Sequence, residues 1–189
     1  DSCRTEIIPS PYRYGEEVQL FIAKDLPEIN EVSVDDYAAA IGEHIISIAE
    51  VMDGRMLILF TSYEMLQKTY FLLKESPFLE DFHLIGQGVN SGSPMRLVRK
   101  FQRHKKSVLL GTSSFWEGID IPGEDLSCLV IVRLPFSPPN EPYVEGKCEE
   151  IKKKGENPFY RFSLPEAIIK FKQGVGRLIR SKNDRGFII

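Results

Sequence analysis

Met56-Leu57-Ile58-Leu59-Phe60 is an unbroken apolar run, followed at once by Thr61-Ser62 and a helical pattern. A half-exposed strand alternates apolar with polar residues, so a strand with no polar position is buried on both faces. Covering both faces takes helices, and hence a parallel sheet with helical crossovers. The rest of the chain repeats this order. Strands are predicted over 18–23, 82–85, 107–110 and 126–134, and the closing Gly186-Phe187-Ile188-Ile189 reads as the start of another. A long helix is predicted over 33–51: Ser33 caps it, Asp36 sits three residues on, and Tyr37, Ile41, Ile45 and Ile48 follow at helical spacing. Further helices are predicted over 63–74, from Ser93-Pro94 and over 140–154. Ser163-Leu164-Pro165-Glu166 has the form of a capping box for a last helix. The predicted class is α/β, with the strand C-termini gathered on one edge, where ligands bind.

The 189 residues are 42% hydrophobic and 27% charged, an ordinary balance for a globular domain. A net charge of -3 argues against a strongly basic nucleic-acid-binding domain, but leaves room for a local phosphate groove. No apolar run approaches the roughly 20 residues that span a bilayer, so no membrane partner is expected. Cys3, Cys128 and Cys148 are odd in number and far apart, which points to reduced cytosolic thiols rather than disulfides or a metal knuckle. The chain closes inside an apolar strand, so residues 1–189 are read as one domain cut from a longer protein. The stretch 135–162, rich in Pro, Lys and Glu, reads as an insertion before the last helix.

Three stretches can carry chemistry. In Gln173-Gly174-Val175-Gly176-Arg177-Leu178-Ile179-Arg180, helical geometry sets Gln173, Arg177 and Arg180 within about 60° of one another. Ile168, Phe171, Val175, Leu178 and Ile179 form an apolar stripe opposite. Two guanidiniums and an amide on one face suit a phosphate. Two glycines inside a helix cost about 1 kcal/mol each against alanine, which implies a close backbone approach. The second stretch, Gly111-Thr112-Ser113-Ser114-Phe115-Trp116-Glu117-Gly118-Ile119-Asp120, follows a strand with hydroxyls and glycines, as phosphate-binding turns do. There Asp120 can accept from a ribose hydroxyl and Glu117 can pair with an arginine; a polar-capped loop over a buried Trp116 is the competing reading. The third, Phe60-Thr61-Ser62-Tyr63, repeats the strand-to-hydroxyl pattern; taken alone it is read first as a plain helix cap by Ser62. Two such turns on neighbouring strands would make a row of donors suited to a sugar–phosphate backbone. Arg96, Arg99, Lys100, Arg103, Lys105 and Lys106 form a basic cluster, read first as a solvated helix face opposite Met95, Val98 and Phe101. His44, His83 and His104 have no partner at metal or triad spacing. No Gly-x-x-x-x-Gly-Lys-Ser/Thr cradle is present.

These motifs, in this order and spacing, resemble the second motor domain of superfamily 2 helicases of the DinG/XPD-like group. Leu59-Phe60-Thr61-Ser62 looks like motif IV, Gly111-Thr112-Ser113 through Asp120 like motif V, and Gln173-x-x-Gly-Arg177-x-x-Arg180 like motif VI. Pro135-Phe136-x-Pro-Pro-Asn140-Glu141-Pro142, Asn157-Pro158-Phe159 and Leu164-Pro165-Glu166-Ala167 are close to the bacterial DinG pattern. The resemblance implies a RecA-like fold of the P-loop NTPase type, lacking Walker A and B. It implies ATP and Mg2+ bound mainly by a first motor domain of the same polypeptide. Arg177 and Arg180 would then be arginine fingers and Gln173 would orient the γ-phosphate or the attacking water. Asp120 would touch the ribose, and Glu117 with Gly118 would couple the nucleotide to DNA. Thr61, Ser62, Thr112 and Ser113 would contact single-stranded DNA. The four-cysteine iron–sulfur site of many relatives belongs to the first domain, and three scattered cysteines cannot supply it. Some relatives carry a 3′–5′ exonuclease domain. The expected setting is the bacterial cytoplasm, at the nucleoid. The alternatives are a non-catalytic RecA-like module that binds nucleic acid, or an RNA helicase motor.

Overall fold

A computed structural model describes residues 18–116, 121, 125–176, 178 and 185–189. Six parallel strands form its sheet: β1 (Val18–Leu20), β2 (Met56–Leu59), β3 (His83–Gly86), β4 (Ser107–Gly111), β5 (Cys128–Ile131) and β6 (Gly186–Ile188). Their order across the sheet is β1-β6-β5-β2-β4-β3. β2 lies centrally, with Met56 to Leu59 opposite Val108 to Gly111 on one side and Cys128 to Ile131 on the other. The helices are α1 (Val34–Met52), α2 (Tyr63–Glu75), α3 (Pro94–Arg103), the short α4 (Ser113–Trp116), α5 (Pro142–Lys153) and α6 (Leu164–Val175).

The period of two along each strand divides the core. Met56, Ile58 and Phe60 pack with Val108, Leu110, Cys128 and Val130 under α1 and α2, where Tyr37, Ile41, Ile45, Leu66 and Leu73 are buried. Leu57, Leu59, Leu109 and Leu129 face the other way, toward Leu97, Val98 and Phe101 of α3, Phe115 and Trp116 of α4, and Leu178. Both faces of β2 are thus covered, as its unbroken apolar run requires. Burial pushes the Cys128 thiol up to about 12, so it stays protonated. Cys148 is half-buried on α5, and Cys3 lies outside the described residues.

The predicted elements are found, with changed ends. Ser33 caps α1, its Oγ accepting from the Asp36 N–H at 3.1 Å. β5 is shorter than predicted: beyond Ile131 the neighbouring β2 has already turned toward α2, and little is left to pair with. The capping box at Ser163 is not formed. Ser163 has helical φ and ψ (-63°, -45°) and makes no capping bond. The helical run begins earlier, where Asn157 Oδ1 accepts from the Phe159 N–H at 2.9 Å ahead of Pro158 in the first turn. It passes through one π turn, Phe159–Ser163, into α6. Pro165 has no N–H to give and crowds the carbonyl four residues back, a conflict that a widened turn relieves. Among the described residues no helix is long and apolar enough to cross a membrane.

Candidate functional site

Crossover direction places the site. β2 leads through α2 on one face toward β3, while β4 leads through α4 on the other face toward β5. β2 and β4 are neighbours whose connections leave on opposite faces. The connections that part sideways are those of β2, toward β3, and of its other neighbour β5, toward β6, so the crevice usual for ligands in such sheets opens beside β2 at this C-terminal edge. The turns 60–62 and 111–113 both lie at this edge. Phe60 N–H donates to the Gly111 carbonyl at 2.9 Å, which ties one turn to the other.

In the first turn, Thr61 and Ser62 are exposed. Ser62 Oγ also accepts from the Met65 N–H at 3.4 Å, so it caps α2. In the second, Thr112 is only 3% exposed. Its N–H donates to Gln87 Oε1 at 2.7 Å and its hydroxyl to the same oxygen at 3.1 Å. Thr112 therefore faces inward rather than out along the edge. Gln87 Nε2 donates to the Tyr63 hydroxyl and to Ser114 Oγ, both at 2.7 Å. A backbone N–H can only donate, so the bond from Thr112 settles which end of the Gln87 amide is oxygen. One buried side chain thus joins the ends of β3 and β4 to the first residue of α2. The sequence reading missed Gln87 and Tyr63. The available signal was a polar residue directly behind the apolar strand 83–86.

Trp116 links this edge to α6. Its indole N–H donates to the Phe60 carbonyl at 3.3 Å. A Cβ on Gly174 would sit 2.9 Å from two ring carbons of Trp116, so the close approach inferred from the glycines is real at this position. Gln173, the preceding residue, is exposed on the last turn of α6. The regular helix ends at Val175, where Gly176 N–H bonds the Lys172 carbonyl. Of the face drawn through Gln173, Arg177 and Arg180, α6 carries Gln173. Of the proposed stripe, Leu178 is buried and Ile168 is 43% exposed; Ala167 and Gly174 are the buried positions of α6. Arg177, Ile179, Arg180, Glu117, Gly118 and Asp120 lie outside the described residues, as does the side chain of Ser113.

The basic cluster is a largely solvated face of α3. Arg96, Arg99 and Arg103 are exposed; Leu97, Val98 and Phe101 are buried, while Met95 is 49% exposed. Lys106 pairs with Asp53 at 3.3 Å. The histidines have partners that spacing did not reveal: His83 and His104 stack with ring centroids 3.5 Å apart, and His44 reaches Asp25 Oδ1 at 3.0 Å. Among the described residues no three His, Cys, Asp or Glu side chains group as a metal site.

Residues 45–189 match the helicase C-terminal domain family. The chain is 41% identical over 186 residues to the 3′-5′ exonuclease DinG of Bacillus subtilis, covering 98% of this chain and 20% of that protein. It is 36% identical over 189 residues to the ATP-dependent DNA helicase YoaA of Haemophilus influenzae, covering 100% of this chain and 28% of that protein. The chain therefore spans under a third of these relatives' length. An XPD helicase structure superposes with a TM-score of 0.70 at 21% identity, over 90% of this chain and 30% of the other, which identifies the fold as RecA-like. The switch-point edge, its hydroxyl turns and these matches agree: the chain belongs to the helicase C-terminal domain family, in the DinG/XPD-like group of superfamily 2.

Proposed function

We propose that the chain is the second motor domain of an ATP-dependent, DinG-like DNA helicase or helicase-related nuclease, and that residues 1–189 form one domain of that longer protein. One arrangement supports this above all. Two turns close neighbouring parallel strands at the C-terminal edge, beside the point where the crossovers of β2 and β5 diverge, and α6 is docked beside them through Gly174 and Trp116. Single-stranded DNA would run along this edge, its phosphates facing the exposed Thr61 and Ser62, and Ser113. Thr112, held inward by Gln87, would keep the second turn in shape rather than touch the strand.

On the neighbouring side, Arg177 and Arg180 would approach the γ-phosphate of ATP held mainly, with Mg2+, by the first motor domain. A guanidinium is permanently charged and offers a planar fork of donors, which suits charge building on a phosphoryl group. Gln173 would orient that group or the attacking water, Asp120 would accept from the ribose, and Glu117 with Gly118 would relay nucleotide state to the DNA edge. Hydrolysis supplies the free energy; this domain supplies charge and orientation. The Bacillus relative is named for an exonuclease; no residue of this chain is assigned to that step. The reading places the protein at the nucleoid of a bacterial cytoplasm.

The test is Arg180→Ala in the full-length protein. ATP turnover is expected to fall by about 10³-fold or more, the scale set by arginine fingers, with folding retained by circular dichroism. Turnover at the wild-type rate would sink the proposal and leave a binding module. Competition between DNA and RNA for stimulation of the ATPase separates a DNA motor from an RNA one.

A further inference from the structure

A second feature borders the same edge. A cleft of about 220 Å³ opens beside Thr61 and Trp116, lined also by Phe136, Ser137, Glu141 and Lys170. Phe136 stacks on Phe159 with centroids 5.8 Å apart and planes at 25°, and Tyr160 packs edge-on against Phe159 at 5.2 Å and 81°. These rings are not a small core: Phe136 is 38% exposed, Phe159 46% and Tyr160 66%. Keeping three adjoining rings half in water forgoes the burial that usually holds aromatics in place. Lys170 Nζ donates to Ser137 Oγ at 2.8 Å within the cleft. Glu141 on the same rim makes the cleft a poor site for phosphate alone.

We propose that Phe136, Phe159 and Tyr160 form a stacking platform for the bases of single-stranded nucleic acid, with Lys170 beside it holding the adjoining phosphate. The inference rests on the motor-domain reading, because it takes the Thr61 edge as the track of the strand. Every base has a π face, so a platform of this kind grips a strand with little regard to sequence. A duplex keeps those faces stacked inside, so the platform selects single strands. It also lies in the stretch 135–162, outside the motifs of the strand-end turns.

The experiment compares fluorescein-labelled oligodeoxythymidine with an abasic oligomer of equal phosphate count, using the full-length protein and fluorescence anisotropy. The wild type is expected to prefer the base-bearing oligomer by about 10-fold or more. Phe136→Leu combined with Tyr160→Leu is expected to remove most of that preference while leaving affinity for the abasic oligomer, and Phe136→Trp to restore it. Retained affinity for the abasic oligomer also shows that the variant is folded. A double variant that keeps the full preference overturns the platform, as it would if the rings served a protein partner. If Thr61→Ala with Ser62→Ala weakens binding of both oligomers and the aromatic variants change neither, the motor-domain reading stands and the platform falls. If the wild type binds neither oligomer, that reading fails as well.

Discussion

At Gly174 two single-residue effects oppose each other. Alanine gains about 1 kcal/mol over glycine in a helix interior. Its Cβ, however, would meet two ring carbons of Trp116 at 2.9 Å and Leu59 Cδ1 at 3.5 Å. Trp116 is 4% exposed and its indole N–H is bonded to the Phe60 carbonyl, so the ring cannot swing clear. Overpacking of this kind costs about 1–3 kcal/mol, so Gly174→Ala is expected to lower the melting temperature. Gly146 on α5 supplies the contrast, since a Cβ there meets nothing within 4 Å and Gly146→Ala is expected to raise it. Equal gains from both variants in thermal melts would refute the close packing. His44 carries the second residue-scale prediction. Its Nδ1 faces the Ala40 carbonyl at 2.9 Å and its Nε2 faces Asp25 at 3.0 Å, two acceptors that favour the doubly protonated ring. Its pKa is raised above the ordinary 6.5, first by the Ala40 carbonyl and then by Asp25, with Glu43 adding a smaller pull. The His44 bond lowers the Asp25 carboxyl below 3.8. The His44 contribution to stability is therefore complete below pH 6.5 and fades as pH rises through the folded value; that of Asp25 is present above pH 3.8 and fades as pH falls through its own lowered value. An NMR titration should find the ring above 6.5, and Asp25→Asn should lower it while leaving part of the rise due to Ala40.

At the scale of elements, what was legible was whatever depends on local pattern. The run 56–60 announced a doubly buried strand, and its even and odd residues divide between the two cores. Ser33 and Asp36 announced the start of α1. The start of α6 was misread because two signals compete: Ser163 and Glu166 have capping-box spacing, but Asn157-Pro158 caps first, and the helix absorbs Pro165 through a π turn. β5 was read too long because an apolar run does not say where its neighbour stops; β2 turns away at Thr61 and Ser62. Of the site, the two hydroxyl turns were legible as strand ends, and the glycine at 174 as a close approach. Gln87 was not, because its partners come from 24 to 27 residues away along the chain and meet only once three strands lie side by side. The stacking of His83 on His104 was hidden for the same reason.

At the scale of the molecule, the edge works as a unit only if its turns are mechanically joined, and Gln87 is the joint. Tyr63 reaches its amide nitrogen and Thr112 its oxygen, so each hydroxyl helps set the orientation that the other requires. Removing one hydroxyl leaves the amide with three bonds, enough to hold its orientation; removing both leaves only Ser114 and the Thr112 N–H, so the second loss loosens what the first left in place. Changes at unconnected sites add within about 0.3–0.5 kcal/mol, whereas partners in one hydrogen-bonded network deviate by roughly 0.5–3 kcal/mol. The prediction is a double-mutant cycle of Tyr63→Phe and Thr112→Val, read from urea unfolding midpoints. Tyr63 is half exposed, so its single variant should cost little, water taking over the lost contact; Thr112 is buried, so its variant should cost more. A coupling energy above the additivity limit is expected, and it should vanish in a Gln87→Met background, where the joint is gone. Strict additivity in the wild-type background would mean that the two strand ends are held separately, and that the edge has no common frame on which to carry a strand of DNA.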